Sequence, residues 1–75
     1  MVDIKWVEEQ AIKKCKIDFC TDKVRSYGVK QEQKRAGEVK VVLVCANPKG
    51  RCYAVEYIYN GFTKQWKRVY RELNF

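Results

Sequence analysis

The sequence contains no histidine, and this absence limits the chemistry open to the chain. Without an imidazole there is no Ser-His or Cys-His nucleophile pair and no histidine ligand for a metal. No glycine-rich phosphate loop is present, and the nine acidic residues are scattered along the chain. We therefore expect a protein that is not an enzyme and has no cofactor.

Long apolar runs are also missing. No run approaches the roughly 18 residues that a helix needs to span a bilayer. The first ten residues, MVDIKWVEEQ, carry acids where a signal peptide has a basic and then an apolar segment. We expect a cytoplasmic protein with no membrane partner, and a single domain over residues 1–75, because so short a chain has no room for a second core.

Positive charge, in contrast, is abundant. Lysine and arginine number 16 against 9 aspartate and glutamate residues, which gives a net charge of +7. So large an excess on a small surface favours anionic partners. The two candidates are nucleic acid, either DNA or RNA, and an acidic protein surface.

The four cysteines are Cys15, Cys20, Cys45 and Cys52. Because histidine is absent, zinc could be held here only by all four thiolates. The second pair has the spacing C-x6-C, which is wider than most zinc knuckles with about two to four intervening residues, whereas C-x4-C lies at the upper end of that range. We therefore predict no metal and buried free thiols, with a four-cysteine zinc site as the alternative; a reducing cytosol disfavours disulfides.

An amphipathic helix is predicted over residues 3–16. Asp3 can cap its first turn by accepting from free backbone N–H groups. Its apolar stripe, at helical spacing, consists of Ile4, Val7, Ala11 and Cys15. A strand over residues 13–19 is the competing interpretation, since apolar and charged residues alternate there.

Residues 21–38 are the least informative part of the sequence. Thr21 or Asp22 could cap a short helix that ends at Gly28. The following stretch, VKQEQKRAGE, is polar and has too few apolar residues to anchor in a core. We expect a mobile loop around residues 30–38.

From Val39 onward the composition is typical of strands. NPKG, residues 47–50, matches a type I turn, and YNGF, residues 59–62, has the Asn-Gly pair of a tight hairpin. These signals predict an α+β fold in which the N-terminal helix packs on a three-stranded antiparallel meander of about 39–46, 51–59 and 62–70. The third segment could instead be a C-terminal helix, because Trp66, Val69, Tyr70 and Leu73 also fall at helical spacing.

The turn at NPKG decides which side chains share a face. A three-residue loop with a bulge places Cys45 opposite Tyr53, whereas a four-residue loop would place it opposite Cys52 and exchange the faces. We favour the bulged register because it collects apolar residues on one side. We expect the helix to cover the opposite side, where the side chains are smaller, and so to leave the aromatic side accessible.

An accessible sheet face rich in rings and cations is typical of single-stranded nucleic-acid binding, in which rings stack on bases and cations neutralise phosphates. The sequence thus predicts a small basic nucleic-acid-binding module. Its predicted binding residues are Tyr53, Tyr57, Tyr59, Lys64, Trp66, Lys67, Arg68 and Arg71. Ordinary core packing of the rings is the competing interpretation.

A second functional hypothesis is a small inhibitor or adaptor. Tyr, Trp and Arg are also the residues that dominate protein interfaces. In this case the same patch would dock on an acidic protein partner. A homodimer through an edge strand at residues 39–46, which has few charges, is part of this alternative.

Overall fold

In a computed structural model that describes residues 3–31 and 37–73, the chain forms one helix and a four-stranded antiparallel sheet. The elements are α1 (Ile4–Asp18), β1 (Lys23–Gln31), β2 (Glu38–Ala46), β3 (Cys52–Asn60) and β4 (Gln65–Leu73). The strands lie in the order β1-β2-β3-β4, so each pairs with its neighbour in the chain. The class is α+β in the broad sense.

Helix α1 begins where the sequence indicates. The Asp3 carboxylate accepts from the backbone N–H of Trp6 at 3.2 Å. The helix continues to Asp18, so the competing strand over residues 13–19 is wrong. Val7, Ala11 and Cys15, four residues apart, are fully buried and form the contact with the sheet.

The prediction of three strands is wrong because β1 was not foreseen. A bulge between Ser26 and Gly28 inserts Tyr27 as an extra residue. Val24 and Ser26 lie on one face, but the next residue on that face is Val29, so the alternation of a strand is interrupted. The spacing of Val24 and Tyr27 then imitates a helix.

Both ends of the predicted loop around residues 30–38 belong to strands. Lys30 and Gln31 belong to the end of β1, and Glu38 begins β2. Residues 32–36, where the centre of that loop was predicted, lie outside the described residues.

The turn between β2 and β3 has the predicted form and register. Cys45 pairs with Tyr53 and Ala46 with Cys52. The Asn47 side chain accepts from the backbone N–H groups of Lys49 and Arg51 at 3.0 and 2.9 Å. Gly50 has a φ of 84°, the left-handed conformation that the bulged loop requires.

The last segment is a strand, so the predicted alternative of a C-terminal helix is wrong. The connection is also longer than the predicted Asn-Gly hairpin, because Asn60 pairs with Gln65 across residues 61–64. The Asn60 side chain accepts from the backbone N–H groups of Phe62 and Thr63, and Lys64 closes the turn with a φ of 58°. The shift from a two-residue Asn-Gly turn is an even number of residues, so each β4 residue lies on the face that such a turn would give it.

Helix α1 covers the face that the sequence predicted to be open. We call it the helix face; its core residues are Val39, Val41, Leu43, Cys45, Val55, Tyr57 and Tyr59. The small residues Val7, Ala11 and Cys15 allow a close approach of the helix backbone, and the rings enclose its flanks. Burying branched and aromatic side chains removes more apolar area from water than covering Val44 and Ala54 would.

Candidate nucleic-acid interface

The aromatic residues of the helix face form a ring cluster around α1. At one end Trp66 lies 4.8 Å from Tyr59 between ring centroids, and Trp6 of the helix lies 5.6 Å from Tyr59. At the other end Phe19 lies 5.0 Å from Tyr53 and 5.3 Å from Tyr70. The rings therefore join the helix to β3 and β4.

All four rings predicted to stack on bases lie in this cluster. Tyr57 is 2% exposed and Tyr59 is 9% exposed, so neither offers a ring face to a base. Tyr53 and Trp66 are half-buried and pack against the core, and the Lys14 ammonium lies 5.1 Å from the Trp66 ring centroid. The rings contribute to packing here.

The four cations predicted to contact phosphate are divided among three places. Lys64 lies in the turn before β4. Arg68 lies on the helix face, where its guanidinium contacts the Asp18 carboxylate at 3.0 Å. Lys67 and Arg71 project from the opposite face, where their cross-strand partners are Ile58 and Ala54.

Asp18 ties the end of α1 to the sheet. The Tyr57 hydroxyl donates to its carboxylate at 2.6 Å, and Arg68 approaches the same oxygen. The hydrogen bond from Tyr57 is the main cause that lowers the pKa of Asp18; burial opposes it and Arg68 reinforces it. Burial, and then the Asp18 carboxylate, raises the pKa of Tyr57, so its hydroxyl keeps the proton that it donates.

This contact predicts how stability depends on pH. The folded state lowers the pKa of Asp18, so the ionised carboxylate stabilises the folded protein. This stabilisation is complete above about pH 4, the pKa of a free carboxyl, and is lost as the pH falls through the pKa that Asp18 has in the folded state. We expect Asp18→Asn to lose less stability than the unaltered protein between pH 6 and 3, measured by urea unfolding. Glu9→Gln, which changes an exposed acid, should leave the pH dependence unaltered; equal slopes for Asp18→Asn and the unaltered protein would contradict the assignment.

The face opposite α1 carries no helix among the described residues, and we call it the open face. Its outer strands bear two sets of cations: the β1 basic row is Lys23, Arg25 and Lys30, and the β4 basic row is Lys67 and Arg71. Three strand spacings of about 4.8 Å separate them, or about 14 Å. Within residues 3–31 and 37–73 none of these five cations forms an ion pair.

Small apolar side chains form the floor between the two basic rows. Across the sheet the paired residues run Arg25, Val44, Ala54, Arg71 along one line and Lys30, Lys40, Ile58, Lys67 along another. A shallow depression of about 280 Å³ lies beside Val42, Ala54 and Val69. The Lys40 ammonium is 3.2 Å from the Glu56 carboxylate, so these two charges cancel within the floor.

Most of the net charge of the described residues lies on the open face rather than on the helix. Helix α1 and its cap contain four lysines and four acids, and are neutral together. The open face has six lysine or arginine residues, and its acids within the described strands are Glu38 and Glu56. The basic excess thus faces away from the helix.

The β1 basic row was missed from the sequence because residues 21–31 were interpreted as a short helix and a loop. The signal was present in Lys23-Val24-Arg25-Ser26, where charged and uncharged residues alternate as in a half-buried strand. Four residues are too few to outweigh the interruption at Tyr27.

The four cysteines form no disulfide, and they do not gather at one site. Cys15 and Cys45 are buried side by side between helix and sheet, Cys52 lies on the open face, and Cys20 is exposed. Burial, and after it the Cys45 thiol, raises the pKa of Cys15 to about 12. Over residues 3–31 and 37–73 no group of three His, Cys, Asp or Glu side chains could hold a metal ion.

A cavity of about 560 Å³ lies at the end of the sheet, between the α1–β1 connection and the β2–β3 turn. Two of its polar groups already have partners: the Thr21 hydroxyl contacts the Ala46 carbonyl, and Asn47 caps its own turn. Its charged lining mixes Lys16 and Lys23 with Asp22. The cavity therefore offers less for ligand recognition than the open face.

No protein-family model, curated protein or solved structure matches this chain. In the described part of the chain, no helix has both the length and the apolar character needed to traverse a bilayer. A functional inference therefore depends on the chain's own residues.

Proposed function

We propose that this protein is a non-enzymatic, cytoplasmic nucleic-acid-binding module that uses the open face of its sheet. The observation that carries the proposal is the separation of charge. The helix side is neutral, whereas the open face presents five cations that have no ion-pair partner among the described residues. An unneutralised cluster of this kind attracts a polyanion and gains free energy when counterions are released from it.

The contact chemistry in this proposal is phosphate neutralisation rather than stacking. Of the eight residues predicted from the sequence, Lys67 and Arg71 lie on the proposed surface, and Lys64 lies at its end. Lys23, Arg25 and Lys30 join them. The rings of Tyr57 and Tyr59 support this surface from behind, since they hold β3 against the helix.

Binding of a labelled oligonucleotide at about 50 and 200 mM salt tests the proposal. We expect Lys67→Gln/Arg71→Gln to weaken binding at least about tenfold at the lower salt. It should also reduce the slope of log K against log salt by about 1.8, since each of the two lost phosphate contacts contributes about 0.9. The matched control is Lys5→Gln/Lys13→Gln, which removes two exposed charges from α1 and should change affinity less than threefold. The proposal would be overturned if the protein did not bind at the lower salt, or if the two double variants lost equal affinity.

An inhibitor or adaptor that docks on an acidic protein is the alternative, and the exposed Val69 at the β4 edge favours it. The predicted dimer contact through residues 39–46 is not available, because β1 and β3 flank β2 on both sides. Self-pairing of β4 about Val69 would set Lys67 against Arg71 of the second copy, and these like charges repel. An acidic partner fits this edge better than a second copy does.

A further inference from the structure

The open face lacks the rings that a single strand would need. Its paired positions on β2, β3 and β4 hold aliphatic, polar or charged side chains, and no aromatic residue. Tyr27, which is 62% exposed, stands at the bulge on the β1 edge. Base stacking, worth about 1–3 kcal/mol per base in single-strand binders, is therefore absent from the centre of this surface.

The two basic rows instead fit a ligand with two phosphate backbones. A single strand that follows the β1 basic row leaves the β4 basic row about 14 Å away and unused. The major groove of B-form DNA is about 12 Å wide, so the backbones that border it lie within reach of Arg25 on one side and Arg71 on the other.

The floor determines what the surface can read. A major groove admits a helix or a two-stranded ribbon, and a four-stranded sheet is too wide to enter it. The Lys40 and Glu56 side chains of the floor are engaged with each other, and Val44 and Ala54 have short apolar side chains that cannot hydrogen-bond to base edges. They also offer nothing to the 2′-hydroxyls displayed by RNA, whose own major groove is deep and narrow.

We propose that the open face straddles the major groove of duplex DNA, with the β1 basic row on one backbone and the β4 basic row on the other, and that it binds without sequence preference. This inference rests on the proposed nucleic-acid function. Phosphate contacts position a protein on the duplex, while base contacts specify the sequence. The open face supplies phosphate contacts.

The first test compares three probes of equal length, namely duplex DNA, duplex RNA and single-stranded DNA, by fluorescence anisotropy with the unaltered protein. We expect duplex DNA to bind at least about tenfold more tightly than the other two, and duplexes of different base composition to bind within about threefold of one another. Single-stranded DNA or duplex RNA binding as tightly as duplex DNA would overturn this inference and leave the proposed function standing. Failure of all three probes to bind would overturn both this inference and the proposed nucleic-acid function.

The second test asks whether both rows are used. On duplex DNA, Lys23→Gln/Arg25→Gln and Lys67→Gln/Arg71→Gln should each reduce the salt slope by about 1.8, and the combined variant by about 3.6. All four side chains are exposed, and a thermal midpoint near that of the unaltered protein verifies that each variant folds. An effect from one row alone would show that a single backbone is contacted, and would overturn the straddled arrangement.

Discussion

Leu43→Ala is expected to destabilise the domain by about 3 kcal/mol and to lower its thermal midpoint by about 12–24 °C. Leu43 is fully buried at the centre of the helix face, among the residues that α1 covers. Removing its branched end leaves a cavity that the packed helix cannot fill. A domain of 75 residues has roughly 4–11 kcal/mol of stability, so this change removes between about a quarter and about three quarters of it.

Val44→Ala is the control for this change, because Val44 is the next residue in β2 and points to the open face. It is half-buried, and its truncation should cost less than about 1 kcal/mol. Both variants are compared by urea and thermal unfolding. A larger loss for Val44→Ala than for Leu43→Ala would mean that α1 covers the other face, as the sequence alone suggested.

Trp66→Ala is expected to destabilise the protein by about 2–3 kcal/mol, somewhat less than the about 3–5 kcal/mol typical of a fully buried ring, because Trp66 is half-buried. Its ring contacts Tyr59 and Trp6, and Lys14 lies over it. Because it lies on the helix face, its loss should leave the DNA affinity of the folded protein within about twofold of the original value. Unfolding curves and binding curves, taken at a temperature where the variant is folded, measure the two effects separately.

Trp66→Phe serves as the control, since a smaller ring keeps part of the contact with Tyr59 and should recover much of the lost stability. If Trp66→Ala remained folded and lost tenfold or more in affinity, the ring would be in contact with bases. That result would restore the sequence-based hypothesis of stacking and would place the binding surface on the β4 side of the helix face.

The parts of the fold that short sequence signals determine were predictable. Asp3 caps α1 through its own carboxylate, and NPKG sets the register of β2 and β3 because Asn47 and Gly50 fix the loop. Both features depend on a few neighbouring residues. They can be predicted without knowing which residues pack against them.

Strands β1 and β4 were harder to predict, for two different reasons. In β1, the bulge at Tyr27 shifts the alternation by one residue. In β4, Trp66 and Tyr70 are four residues apart, a spacing that returns to the same face both in a helix and in a strand. Periodicity alone could not separate the two structures there.

The candidate site depends on a property that the sequence does not contain, namely which face the helix covers. Lys67 and Arg71 were predicted to bind together with the rings, but they project from the side of the sheet opposite Trp66. Without α1 in place, either side of the sheet could be the open one. Which face α1 covers depends on the total apolar area that each face can bury against Val7, Ala11 and Cys15. No single sequence motif encodes that area.

Helix α1 precedes all four strands in the chain, and this order has a consequence for synthesis on the ribosome. Its 15 residues leave the exit tunnel before any strand does, yet an isolated helix of that length is only marginally stable in water. The surface that stabilises it is built from β2 and β3 and is complete only at Asn60. Because each strand pairs with the next one in the chain, the sheet can grow hairpin by hairpin during translation. The nascent chain therefore exposes the apolar stripe of α1 until β3 has emerged. The helix is synthesised before the sheet but can pack against it only after β3 is present.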